Sequence, residues 1–145
     1  MVNSEKAKET FSKGFNCAQA VLSTYCDKYG INDSLAKKIS CGFGAGCARQ
    51  SLTCGAVSGA FMVIGLRYGK TEEADEESKN ITYEKINAFS DQFKLLYGSL
   101  NCYELLGCDL SSEGGRDYFA ENDLFNKECM HYVKNACEIL DAMGF

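Results

Sequence analysis

Three observations predict an all-α fold. Apolar residues recur at helical spacing, and no stretch alternates apolar and polar residues for long enough to make a strand. The chain has no proline, so nothing interrupts long helices. Residues 53–69, TCGAVSGAFMVIGLRYG, carry no charge before Arg67, the pattern of a helix that is apolar on every face and buried. The expected architecture is a compact single-domain helical bundle, residues 1–145, around a buried central helix at about 54–68.

Each element has its own signal. Ser4 is positioned to cap a short first helix over roughly 4–13, ended by Gly14. Asn16 caps a second helix from Cys17 to about Tyr29, with Ala18, Val21, Leu22, Tyr25 and Tyr29 at helical spacing and Gly30 closing it. Asn32 or Asp33 opens a third through Leu35, Ala36 and Ile39. Residues 41–51, CGFGAGCARQS, read as a tight or irregular loop because three glycines stand at alternate positions. Thr53 caps the central helix and places Cys54 in its first turn. Thr71 caps a long helix that begins with the acidic run EEADEE, which complements the helix dipole, and that carries the stripe Ile86, Phe89, Phe93 and Leu96 up to Gly98. Asn101 caps the short helix CYELLG. Residues 111–119 read as a loop or loose helix. The last helix, about 122–143, carries the stripe Phe125, Cys129, Val133, Ala136, Leu140 and Met143.

The composition bounds the function. A length of 145 residues suits one domain with a sizeable core, and a net charge of −5 argues against nucleic acid or an anionic membrane as partner. The start, MVNSEKAKETF, is charged and lacks the apolar segment of a signal peptide. The longest uncharged apolar stretch, residues 53–66, is about 14 residues, whereas a membrane span needs roughly 20. A cytoplasmic location with mostly reduced thiols is expected, and there clusters among nine cysteines point to metal binding or redox chemistry rather than static disulfides.

Three of the cysteines share one local setting. Cys17 follows Asn16, Cys54 follows Thr53 and Cys102 follows Asn101, each in the first turn of an expected helix. Unpaired N–H groups and the positive end of the helix dipole stabilise a thiolate there, and they can lower its pKa from about 8.5 towards 3.5–7.5. A fourth, Cys129, lies on the inward stripe of the last helix. Four cysteines is the usual ligand count of an iron–sulfur cluster or a structural zinc. Cys26 and Cys137 read as packing residues, Cys41 and Cys47 flank the glycine loop as extra metal-ligand candidates, and Cys108 follows the short helix. No CxxC pair occurs, so a shared site would have to be assembled from distant segments.

These residues resemble a known family, the redox-active proteins named for the pattern C…GCAxxG…C…C. The matching stretches are GFNCAQAVL (14–22), GFGAG (42–46), CGAVSGAFMVIGL (54–66), CYELLG (102–107) and ECMHYV (128–133). The family's four signature cysteines fall on Cys17, Cys54, Cys102 and Cys129, and Gly55, Ala56 and Gly59 are shared as well. The resemblance implies a redox role with a bound iron–sulfur cluster or another metal, and it supplies no substrate.

The leading expectation is an electron carrier that holds an iron–sulfur cluster on those four cysteines and exchanges electrons with a partner protein. One alternative is a metal-free thiol–disulfide oxidoreductase, with Cys54 as nucleophile and Cys17 or Cys102 as resolving thiol. Another is a zinc-stapled or purely packed interaction module. An assembly of identical chains is compatible with each. GFGAG lacks both the spacing and the preceding strand of a dinucleotide fingerprint. Arg49 and Arg67 are surface candidates that would compensate an anionic cluster. His131, the sole histidine, lies two residues past Cys129, about 200° away around the helix, and does not readily share a metal with it.

Overall fold

In the computed structural model, which describes residues 1–145, eight α-helices follow one another: α1 (Asn3–Ser12), α2 (Cys17–Tyr25), α3 (Asp33–Ser40), α4 (Gly55–Tyr68), α5 (Glu76–Tyr97), α6 (Cys102–Leu106), α7 (Glu113–Glu121) and α8 (Met130–Ala142). A π-helical turn, Phe125–Cys129, leads into α8, and an isolated bridge between Thr53 and Asn101 is all the extended pairing there is. The fold is all-α.

The central helix is α4. From Gly55 to Ala60 every residue is buried, as are Val63 and Ile64, and none is fully exposed before Arg67. Its partner of closest approach is α2. A Cβ on Gly59 would stand 2.9 Å from the Ala18 carbonyl oxygen and 3.1 Å from Val21 Cβ, so only glycine lets the two helices meet here. Around this pair α1 packs on α8 and α2, and α5 lies against α4 and α8. One apolar cluster of 28 buried residues runs through the whole assembly, with Phe89, Phe93, Leu22, Ile64 and Leu140 among its fully buried members.

Several element starts differ from the sequence reading. Ser4 is not a cap: α1 begins at Asn3 after Val2, and Ser4 is buried inside it. Thr71 and the first acidic residues form a turn, and the cap of α5 is Asp75, whose carboxylate accepts from the Ser78 N–H at 3.0 Å. Asp75 is the better acceptor for a helix start because its side chain carries charge as well as reach. Leu96 is exposed, and Tyr97 takes its place on the inner stripe, 5.0 Å from Phe93. The second helix stops at Tyr25 and tightens into a 3-10 turn, Asp27–Tyr29, before Gly30 ends it at φ 90°. Residues 113–121 form a true helix despite Gly114 and Gly115, because Ser112 caps it through the Gly115 N–H.

The Gly59 contact yields a paired prediction. Gly59→Ala forces a methyl into the Ala18 backbone and is expected to cost about 1–3 kcal/mol. Gly65→Ala, on the same helix with nothing within 4 Å of its added Cβ, is expected to stabilise by about 0.5–1 kcal/mol. Thermal unfolding followed by circular dichroism should move the two midpoints in opposite directions.

Candidate functional site

Cys17, Cys54, Cys102 and Cys129 all line one cavity of about 390 Å³. Each reaches it from a different element. Asn16 caps α2 by accepting from the Gln19 N–H at 3.0 Å, and Gln19 returns the bond to the Asn16 N–H, so Cys17 opens a rigid first turn. The Asn16 amide also donates to the Cys41 carbonyl at 2.7 Å, and Gln19 Nε2 donates to the Lys37 carbonyl at 3.0 Å. These bonds tie the start of α2 to α3 and the glycine loop. A Cβ on Gly55 would collide with Cys17 Sγ, so glycine after Cys54 is what admits the first sulfur beside the second.

Cys54 and Cys102 are set side by side by backbone. The Cys54 N–H donates to the Leu100 carbonyl at 2.8 Å, the Cys102 N–H to the Leu52 carbonyl at 2.6 Å, and the Tyr103 N–H to the Ser51 carbonyl at 3.2 Å. Two helix starts are thereby joined antiparallel. Thr53 is engaged in this pairing rather than in capping, and Cys54 itself is the N-cap residue of α4. Cys129 closes the π-helical turn before α8, and π turns of this kind often mark functional sites.

The glycine loop contributes backbone. Five consecutive residues, Ala45 to Arg49, have φ between 53° and 69°, forming a left-handed turn. Four of the five are not glycine, at a cost of about 1–2 kcal/mol each. The Ala45 N–H is directed at the Cys17 sulfur, and Ala45 and Gly46 line the cavity.

Helix-start positions favour lowered thiol pKa values, yet all four of these thiols are raised. Burial pushes Cys17 up, and the N–H groups of Ala45, Ala18 and Ala56 offset only part of it. Burial raises Cys54, with the charges of Cys17 and Cys102 adding, against N–H groups of Ala56 and Val57. Cys102 is pushed up to about 12, first by burial and then by Cys17 and Cys108. Cys129 is raised by burial and by all three of the others. Helix-start donors reach the sulfurs of Cys17 and Cys54, whereas Cys102 is met by the Ser51 side chain, and loss of water outweighs all of them. No three Cys, His, Asp or Glu side chains are gathered closely enough to hold one metal ion.

The other cysteines fall outside the cavity. Cys26 and Cys137 are fully buried in the core, and Cys108 is buried near Cys102. Cys41 is exposed and Cys47 half-buried in the left-handed turn, and neither lines the cavity. Of the two arginines singled out, Arg49 edges the cavity, whereas Arg67 donates to the Gly144 carbonyl at 2.6 Å and lies over Tyr68 and Phe145. Arg116 also edges it, a residue that no sequence signal singles out because residues 111–119 read as a loop or loose helix.

The chain belongs to the family described as "Putative redox-active protein (C_GCAxxG_C_C)", whose model matches residues 15–143. Its central motif reads CGAVSG here, with the glycine after the cysteine. No curated protein and no solved structure matches the chain.

Raised thiol pKa values fix the sign of a stability change. A thiol that holds its proton more tightly when folded contributes stability fully below pH 9, and loses it as pH rises through the folded value. The metal-free, reduced protein is therefore expected to weaken steadily above pH 9. Replacing Cys102 by Ser should make the decline shallower, by up to about 1.4 kcal/mol per pH unit. Urea midpoints measured between pH 8 and 11 check this, and equal slopes in both proteins would contradict neutral buried thiols.

Proposed function

We propose that this chain is an electron carrier whose Cys17, Cys54, Cys102 and Cys129 hold one iron–sulfur cluster. The observation that carries this reading is the arrival of four thiols, from four separate segments, on one largely apolar cavity. Left without a cation, such thiols stay protonated. Burial and mutual repulsion both oppose a set of four negative charges. Iron in a cluster supplies the compensating charge, and when bound it takes up and releases one electron.

The donor set fits. Cysteine thiolate is the usual ligand of such clusters, and the count of four matches. The N–H groups of Ala18, Ala45, Ala56 and Val57 already face the sulfurs of Cys17 and Cys54 and would hold part of the negative charge. Phe11 and Phe125, stacked at 4.1 Å, and Leu106 add apolar lining to the same cavity. A zinc ion held by the same four thiols is the alternative, and metal analysis of the purified protein separates the two.

The thiol–disulfide alternative has one observation in its favour, the closeness of the Cys17 sulfur to Gly55 beside Cys54. Its chemistry is disfavoured by the same burial. Burial, with Cys17 adding to it, pushes the thiol of Cys54, the nucleophile of this alternative, well above its ordinary range, which makes it a poor attacking group near neutral pH.

Anaerobic purification tests the reading. The expected protein is brown, bleaches on reduction, and contains one cluster's worth of iron and sulfide. Serine at any of positions 17, 54, 102 or 129 should lower the iron content severalfold, while Cys26→Ser and Cys41→Ser should retain it. A colourless, iron-free protein after anaerobic reconstitution would overturn the proposal.

A further inference from the structure

The cavity is built for more than four sulfurs. Most of its lining is apolar and aromatic, including Phe15, Leu105, Phe119 and Phe125, and its volume of about 390 Å³ falls in the range of small-molecule sites. Two arginines, Arg49 and Arg116, complete the lining, and both are exposed to solvent. In a chain of net charge −5, neither pairs with a carboxylate. Glu113 and Asp117, on the same helix as Arg116, leave it unpaired too. Arg116 Nη1 donates to the Leu110 carbonyl at 3.0 Å, which anchors the guanidinium at the cavity edge and leaves its other N–H groups available. An apolar cavity edged by two unpaired cations is complementary to a ligand with an apolar body and one anionic end.

We propose that this cavity binds a small apolar carboxylate, of medium-chain or aromatic type, with its hydrocarbon among Phe15, Leu105, Phe119 and Phe125 and its anionic group between Arg49 and Arg116. Such a ligand lies against the same cavity wall as the four thiols. A group held by the thiols would share this cavity, so binding is measured with and without metal.

The test uses the full chain, both as purified anaerobically and after metal removal. Its probe is anilinonaphthalene sulfonate, an anionic aromatic dye that brightens when it leaves water. The expected result is saturable binding of one dye per chain, displaced by decanoate but not by decanol at equal concentration. Arg49→Gln, which breaks no hydrogen bond within the protein, should weaken dye and decanoate at least fivefold, and the double variant with Arg116→Gln at least tenfold, with the thermal midpoint of Arg49→Gln unchanged. Absence of saturable binding, equal displacement by decanol, or affinity unaltered in both variants would overturn the inference. Iron measured on the same samples separates the two readings. Binding lost with iron retained defeats this inference alone, and iron absent with binding retained defeats the cluster alone.

Discussion

Three backbone hydrogen bonds between residues 51–54 and 100–103 hold the architecture of the site together. They join the starts of α4 and α6, so Cys54 and Cys102 sit next to each other before any side chain is considered. The remaining two thiols are brought in by packing. The glycines at 55 and 59 let α2 lie close enough for the Cys17 sulfur to rest against the start of α4. The π turn ahead of α8 carries Cys129 to the cavity from the far end of the chain. Close packing makes the arrangement intolerant: a single methyl at either glycine displaces a backbone or a sulfur rather than filling space.

The electrostatics of the site follow from that geometry. Helix starts offer N–H groups to sulfur, but the cavity that collects the sulfurs also strips them of water. The second effect is the larger, so the thiols rest protonated, and their pKa values rise further with each neighbour. The same N–H donors count for more if the sulfurs acquire a compensating cation, because hydrogen bonds to charged acceptors are stronger. The left-handed turn at 45–49 is part of this arrangement. Its strained backbone is held by Gly44 against Asn16, by the Leu52 N–H donating to the Gly46 carbonyl at 2.9 Å, and by the Ala48 N–H donating to the Gly44 carbonyl at 2.9 Å. Strain of this kind is found where function fixes a backbone that local preference would not choose.

Much of this was legible in the sequence. The apolar run through Val57 and Ile64 announced a central buried helix, and Asn16, Asn32 and Asn101 announced three helix starts that the structure caps as expected. Repeated placement of cysteine after a capping residue drew attention to three of the four cavity thiols, and the stripe of the last helix to the fourth. What local rules missed were tertiary outcomes. Thr53 looks like a cap but is used in pairing, since its partner segment lies almost 50 residues away. The α region is the default for alanine, so nothing in CGFGAGCARQS signals Ala45 and Ala48 at positive φ. The thiol pKa values were expected to fall because the helix dipole is visible in sequence and burial of a sulfur is not. Arg116 was hidden because two glycines disguised its helix.

The central claim is that four cysteines jointly hold one iron-containing group. Diffraction from crystals grown anaerobically, with anomalous scattering recorded at the iron edge, tests it most directly. The account predicts iron in the cavity within bonding distance of the sulfurs of Cys17, Cys54, Cys102 and Cys129. A cavity without iron in crystals of reconstituted protein, or a disulfide joining Cys17 to Cys54, would contradict it.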